Sequence, residues 1–479
     1  MTELTKVFRT RGCSLILKMI NNRKIALKQW LVLASCLLLG CTTQATPQLA
    51  FDSAKGFGQY TQGGHNGQLY IVNTLEDDPD DPKEGSLRHA LKRKYPRTVV
   101  FSVSGIINLK APLIVKSGHL TIAGQTSPGG ITVTGAPVKV SDAEQVIIRY
   151  MRFRLGTFTF PEDAMTVRDS QDVIIDHCSF SWSVDEAASF YNNSRFTLQN
   201  SIISNSLNDS IHPKGKHGYG GIWGGNQASF INNVIAHHNS RTPRLNGHRL
   251  KSPYAQQYEF VEVANNVIFN WGSNNIYGSE NGRFNLINNV FKPGPASKKH
   301  QFADIWHSPE LKTAQAYVSG NYYVGGPDFT AKNWLGVKFR SSEKGKAVTA
   351  KQNNPRLSPT PLTPVDKQDY VGKFASVDNI YQQLIVDKDS GANRNANGLF
   401  WDSVDSLVLA QIDGEAAVEG KGLINHEFEM IGNWKNYQQQ FDNFPAVIDA
   451  NHDGINDAWA AAHPTQSSDL NAYLADLAN

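Results

Sequence analysis

The feature that most constrains this chain is a short motif that returns along its middle. Phe230-Ile231-Asn232-Asn233-Val234-Ile235, Val263-Ala264-Asn265-Asn266-Val267-Ile268 and Leu286-Ile287-Asn288-Asn289-Val290-Phe291 are near copies, and Val318-Ser319-Gly320-Asn321-Tyr322-Tyr323 is a looser one. Two earlier segments, Ile175–Phe180 and Leu198–Ile203, join the series. Aligned on positions 176, 199, 232, 265, 288 and 320, successive copies lie 23, 33, 33, 23 and 32 residues apart. Strand-like repeats at such a period define a solenoid, in which each coil buries its apolar face against its neighbours and loops of different length leave the coil constant. An Asn tolerates the unusual backbone angles of a bend, and stacked amides can bond to one another along the axis. These asparagines are therefore expected to be structural. A propeller or sandwich would show hairpin turns at more even spacing.

A solenoid needs its ends covered. Leu87–Lys94 has Leu87 and Leu91 on one side and lysines outward, which predicts a capping helix over the first coil. The strand pattern spans residues 51–330. Residues 331–479 read as an irregular extension packed on the solenoid, Pro-rich around 355–364 and partly helical over 400–432. Residues 1–40 read as a secretory signal: Gln29–Gly40 is an apolar run behind Arg23, Lys24 and Lys28, too short for a comfortable membrane span of ~20 residues. Met19 would give the tidier start. Leu38-Leu39-Gly40-Cys41 resembles a bacterial lipobox, which predicts lipid attachment at Cys41 and an exported protein, held at the outer membrane by that anchor or released. After processing at Cys41, Cys178 is the one unmodified cysteine, so no intramolecular disulfide is expected. Net charge +3 on 479 residues argues for no nucleic-acid partner, and a monomer is expected.

Several ordered stretches resemble the pectate lyase superfamily, polysaccharide lyase family 1, in its secreted bacterial branch. They are Gly56-Phe57-Gly58, Gly63-Gly64-His65-Asn66-Gly67, Tyr70–Leu75, Gly85–Ala90, Pro96–Phe101, Leu120–Thr126, Asp176-His177 and Arg241-Thr242-Pro243-Arg244. The resemblance covers about residues 51–326. It implies an all-β, single-stranded, right-handed parallel β-helix, dependence on Ca²⁺, and cleavage of an acidic polysaccharide, α-1,4-linked galacturonate, by β-elimination.

Elimination on a uronate removes the proton beside the carboxylate carbon and then expels a sugar oxygen. The substrate carboxylate must be neutralised by a hard cation or by Arg and Lys, and a base must reach the C5 proton. The resemblance assigns the base to Arg241, although an arginine's ordinary pKa above ~12 makes it a poor base without help. It points to Arg244 for a substrate carboxylate, but Asn246 stands where the family often has a second arginine. Lys214, Lys216 and His217 lie in the preceding loop and are candidate substrate contacts, with Lys214 favoured. For the catalytic calcium the matches are Asp163 and Asp185, with neighbours Glu162 and Glu186; Ser189 replaces an acid the family often supplies. Asp176 and His177 occupy the bend of the asparagines and read as support that orients Lys214 or Arg241.

A second calcium motif closes the chain. Asp449, Asn451, Asp453, Ile455 and Asp457 place oxygen donors at alternating positions around Gly454, within 449–459, ahead of a short helix at 458–461. No Glu stands at position twelve, so this is not a complete EF-hand. Two rival functions share the architecture: a glycoside hydrolase of the polygalacturonase type, which needs close carboxylates for acid and base work, and a non-catalytic surface glycan-binding protein.

Overall fold

In a computed structural model, which describes residues 47–157, 160–307, 314–341 and 347–479, the repeats stack as parallel strands. One column shows how. Tyr70, Val99, Ile122, Ile148, Ile175, Leu198, Phe230, Val263, Leu286 and Val318 are register partners from coil to coil. Most are fully buried, so each coil's β-branched or aromatic side chain rests on the one before it. Alternation along the strand sends the intervening residues outward.

Each coil contributes to three faces. A nine-stranded parallel sheet runs from Gly105–Asn108 through Met151–Arg154, Ile202–Ser204 and Val267–Phe269 to Tyr322–Tyr323. The other two faces fuse into one 18-stranded sheet, because Ala188–Gln199 and Ile222–Ile231 are long enough to run across the corner between them. The result is a parallel β-helix. Its pairing continues through Val337–Ser341, and the antiparallel strand Ala347–Thr349 then turns back along the last rung. Leu87–Lys92 is helical, with the Ser86 hydroxyl accepting from His89 N–H, and Leu87 and Leu91 are buried in the core of the first coils.

Bending and stacking are divided between the two asparagines of each motif. The first is left-handed: φ is +58° at Asn232, +56° at Asn265 and +51° at Asn288. The second forms the ladder. Asn233 donates its backbone N–H to Asn266 Oδ1 at 2.9 Å, Asn266 to Asn289 at 2.9 Å, Asn289 to Asn321 at 3.0 Å, and Asn321 to Asn333 at 2.8 Å. The left-handed corner also corrects the sequence alignment by one residue in the early coils. His177 and Asn200, each at φ +48°, hold the bend, whereas Asp176 and Gln199 are register partners at the strand ends.

The chain's own ends cover two of the three faces. The glycine-rich segment 56–67 lies on the outer side of the fused sheet, so close that a Cβ on Gly58 would sit 2.5 Å from Val173 O and one on Gly64 only 1.9 Å from Arg97 O. Further along, Tyr370 bonds Glu262, and Leu362 and Asn285 bond each other through backbone and side chain. On the nine-stranded sheet, Ile202, Val234, Val267 and Val290 point outward and are covered by Ile380, Leu384, Val408 and Leu409 of the extension. Helix Ser403–Asp413 brings Asp402 and Asp405 onto two buried arginines of that sheet. Arg154 Nη2 lies 2.6 Å from Asp402 Oδ2 and 2.9 Å from Asp405 Oδ1, and Arg152 Nε 3.3 Å from Asp402. Cys178 is free and buried. Among the described residues no helix is long and apolar enough to cross a membrane; the signal segment 1–40 and Cys41 lie outside them.

Candidate active site

The remaining face carries the candidate chemistry at its edge, where loops leave the coil. Glu186, Tyr219 and Ser240 are parallel bridge partners on three successive coils, so residues far apart in sequence stand one rung apart. Asp163 belongs to the coil before. Its Oδ1 accepts from Glu186 N–H at 3.2 Å and its Oδ2 from the Thr166 hydroxyl at 3.0 Å.

Asp163, Asp185 and Glu186 bring one carboxylate oxygen each within 4.8 Å of one another. Burial and the neighbouring Asp185 charge push Asp163 up to about 7, against hydrogen bonds from Ser189 and Thr166. Ser189, register partner of Thr166, thus serves this cluster as a hydrogen-bond donor instead of a fourth acid. Glu162 is turned away from the three and pairs with Lys139. An all-oxygen set with surplus negative charge suits a hard cation such as Ca²⁺.

Arg241 follows Ser240 at φ +59°, ahead of the cis Thr242–Pro243 bond. Its guanidinium pairs with Glu186 and lies over the Tyr219 ring, 4.3 Å from the centroid. Arg244 is buried on the next strand. It bonds Glu280 at 2.7 Å and lies beside the Tyr277–Trp306 ring pair, 5.1 and 5.0 Å from their centroids. Trp182 and Trp223, by contrast, are fully buried core residues.

The loop before this strand places His212 and His217 face to face, 3.5 Å between centroids, with their Nε2 atoms 3.7 and 3.9 Å from the Asp185 carboxylate. His217 Nδ1 donates to Gly215 O at 2.8 Å. His212 Nδ1 accepts from Lys214 N–H at 3.1 Å, and burial together with His217 holds His212 below its ordinary pKa. Lys214 is exposed, while Lys216 pairs with Asp209 at 3.2 Å. Asp176 and His177 lie away from this edge. Asp176 is buried against Arg149 and Gln199, and His177 bonds Asp176 and Asp389, rather than Lys214 or Arg241.

Sequence reasoning missed Arg249. Its Nε donates to Asn246 O at 3.1 Å, and burial with the nearby charges of Arg244 and Arg241 lowers its pKa while Glu280 opposes them. Asn246 stands where a second arginine is expected, and its buried backbone carbonyl holds Arg249, three positions later. Glu280, the acid that fixes Arg244, carried no signal in sequence. The calcium-like motif at the chain's end forms a tight turn: Asp449 accepts from Asp453 and Gly454 N–H, and Asp457 opens helix Asp457–Ala462.

Fold and site together define a parallel β-helix protein with one edge that gathers three carboxylates and the ion-paired Arg241 and Arg244. No family model matches the chain. Probable pectate lyase C of Aspergillus flavus is 33% identical over 436 residues, covering 89% of each chain, and that of Aspergillus oryzae gives the same figures. The chain belongs to the pectate lyase family. Among solved structures, the cedar-pollen allergen jun a 1 matches at TM-score 0.48 and 21% identity over 71% of this chain and 93% of its own. A pectate lyase of Bacillus sp. N165 in complex with trigalacturonate matches at TM-score 0.46 and 16% identity, over 70% and 98%. These fungal relatives overturn the expected placement in the secreted bacterial branch. The motifs behind that expectation include residues that meet packing demands of the β-helix itself, such as Gly64 against Arg97 O, and so report the fold more than the branch.

Proposed function

We propose that this protein is a polysaccharide lyase that cleaves pectate by β-elimination. The observation that carries the reading is the meeting, on one edge, of Arg241 with the Asp163–Asp185–Glu186 cluster, in a chain of the pectate lyase family. Those three acids are the residues to hold Ca²⁺, which when bound would neutralise a substrate carboxylate. Arg244, and Arg249 within electrostatic reach of Arg244 and Arg241, are the cations to offset the charge that builds on that carboxylate as the C5 proton leaves. Arg241 is the group to accept the C5 proton, after it has lost Glu186 to the cation and, pressed by the nearby positive charges, has released one proton to solvent. Tyr219 holds the guanidinium plane. Lys214 and His217, on the flanking loop, are the remaining substrate contacts, and Lys216 reaches them only by leaving Asp209. Asp176 and His177 support the coil at its opposite corner.

The test is the ultraviolet absorbance of the unsaturated product when the purified protein meets polygalacturonate, with Ca²⁺ or with EDTA. A rise that EDTA abolishes is expected. The same three carboxylates would also serve a hydrolase, with Asp163 as the acid. Reducing ends released without any unsaturated product would establish that reaction instead.

The turn at Asp449, Asn451, Asp453, Ile455 and Asp457 is a structural Ca²⁺ site that steadies the tail. Residues 1–40 direct export and Cys41 takes the lipid anchor, checked by detergent partitioning of Cys41→Ser. The protein acts as a monomer.

A further inference from the structure

Beyond the reacting edge, the same face continues toward the N-terminal coils as a cleft of about 460 Å³, within the usual size of ligand sites. Asp163 and Asp185 form one end of it, so it is continuous with the acidic cluster. Its floor is a register pattern. Ile114, Lys139, Thr166 and Ser189 form one column, and Ser141, Arg168 and Tyr191 the next, with Lys116 on the rung below Ser141. Val138, Val140 and Val167 alternate with them and point into the core, so these polar residues share the outer side.

Three cations therefore stand on three successive rungs, about 4.8 Å apart per rung. Lys116 is exposed. Arg168 is more than half exposed and pairs loosely with Asp169, at 3.7 Å. Lys139, between them in the other column, pairs with Glu162, the acid left out of the metal cluster. An extended 1,4-linked uronan advances about one sugar per rung and presents its carboxylates on alternate edges. Lys116 and Arg168, two rungs apart in one column, fit carboxylates on one edge, and Lys139 fits the carboxylate between them. The half-buried Tyr191 lies at the junction with the reacting edge.

We propose that Lys116, Lys139 and Arg168 form additional uronate subsites that make binding depend on a run of unesterified residues on this side of the scissile bond. The inference rests on the pectate reading above and deepens it. A substrate carboxylate takes Lys139 from Glu162, gives exposed Lys116 a counter-charge, and offers Arg168 a closer partner than Asp169. Such exposed pairs are individually weak, so the effect is cumulative along the chain.

The test is calorimetric titration of the Arg241→Ala protein, with Ca²⁺ present, against galacturonate oligomers of increasing length. In that parent, affinity should rise from trimer to hexamer. In Lys116→Ala/Arg168→Ala on the same background the hexamer should lose about tenfold and approach the trimer. Methyl-esterified hexamer should gain nothing over trimer with the parent. A length-dependent gain that survives in the double variant, or that methyl-esterified hexamer shares, overturns the subsites while leaving the pectate reading intact. A parent that binds no oligogalacturonate of any length overturns both.

Discussion

At the scale of the residue, the pairing of Arg241 with Glu186 gives two opposed expectations. Arg241→Lys keeps the charge and loses the planar fork, and elimination should fall by about 10²–10⁴ while folding is unchanged, read from product absorbance and circular dichroism. Glu186→Gln should weaken calcium binding in direct titration and leave Arg241 without its partner. A buried acid away from the site supplies a pH effect. Burial pushes Glu262 up to about 7, against hydrogen bonds from Tyr370 and Ser229, and Glu259 up to about 8. The folded protein thus keeps protons on these two acids that the unfolded chain releases near 4.5, so their contribution to stability is full below that pH and is lost as pH rises through about 7 and 8. Glu262→Gln, which still accepts from Tyr370 and Ser229, should flatten the lower part of that decline in urea midpoints. At this scale the sequence was informative where a motif marked the residue, as at Arg241, and silent where it did not. Arg249 and Glu280 reach the site through a loop and a neighbouring coil whose spacing has no fixed period.

At the scale of the element, the ladder is the unit of stability. Asn266→Ala leaves the Asn233 backbone N–H without its acceptor in the core and takes one of the two acceptors of its side-chain amide, which keeps Leu198 O. The cost should be about 1–3 kcal/mol for the stranded group, measured by urea unfolding. Asn265→Gly, at the left-handed corner, should cost far less, because glycine adopts φ +56° without strain, although the side-chain bonds to Ala375 are lost. The repeats were legible because Asn-Asn-Val-Ile is written in near copies. The early coils were misaligned by one residue because Asp176-His177 and Gln199-Asn200 carry no doubled asparagine, and only the backbone angle identifies the corner.

At the scale of the whole molecule, the extension is fastened by charge as well as by apolar contact. Asp402→Ala would leave buried Arg152 without its carboxylate and Arg154 with that of Asp405 alone, at a cost of about 3–5 kcal/mol. It should also expose residues 377–479 to limited proteolysis before the β-helix is cut. This docking was only partly legible: helical character around 400–432 could be read, but not that Asp402 and Asp405 meet arginines some 250 residues earlier. The asparagine ladder, finally, governs how such a chain can change over generations. Inserting one residue within a strand would turn every later side chain inside out, whereas duplicating an entire coil sets each asparagine beneath another. Descent in this fold is counted in whole turns, and single-residue novelty is confined to the corners, where the working loops already are.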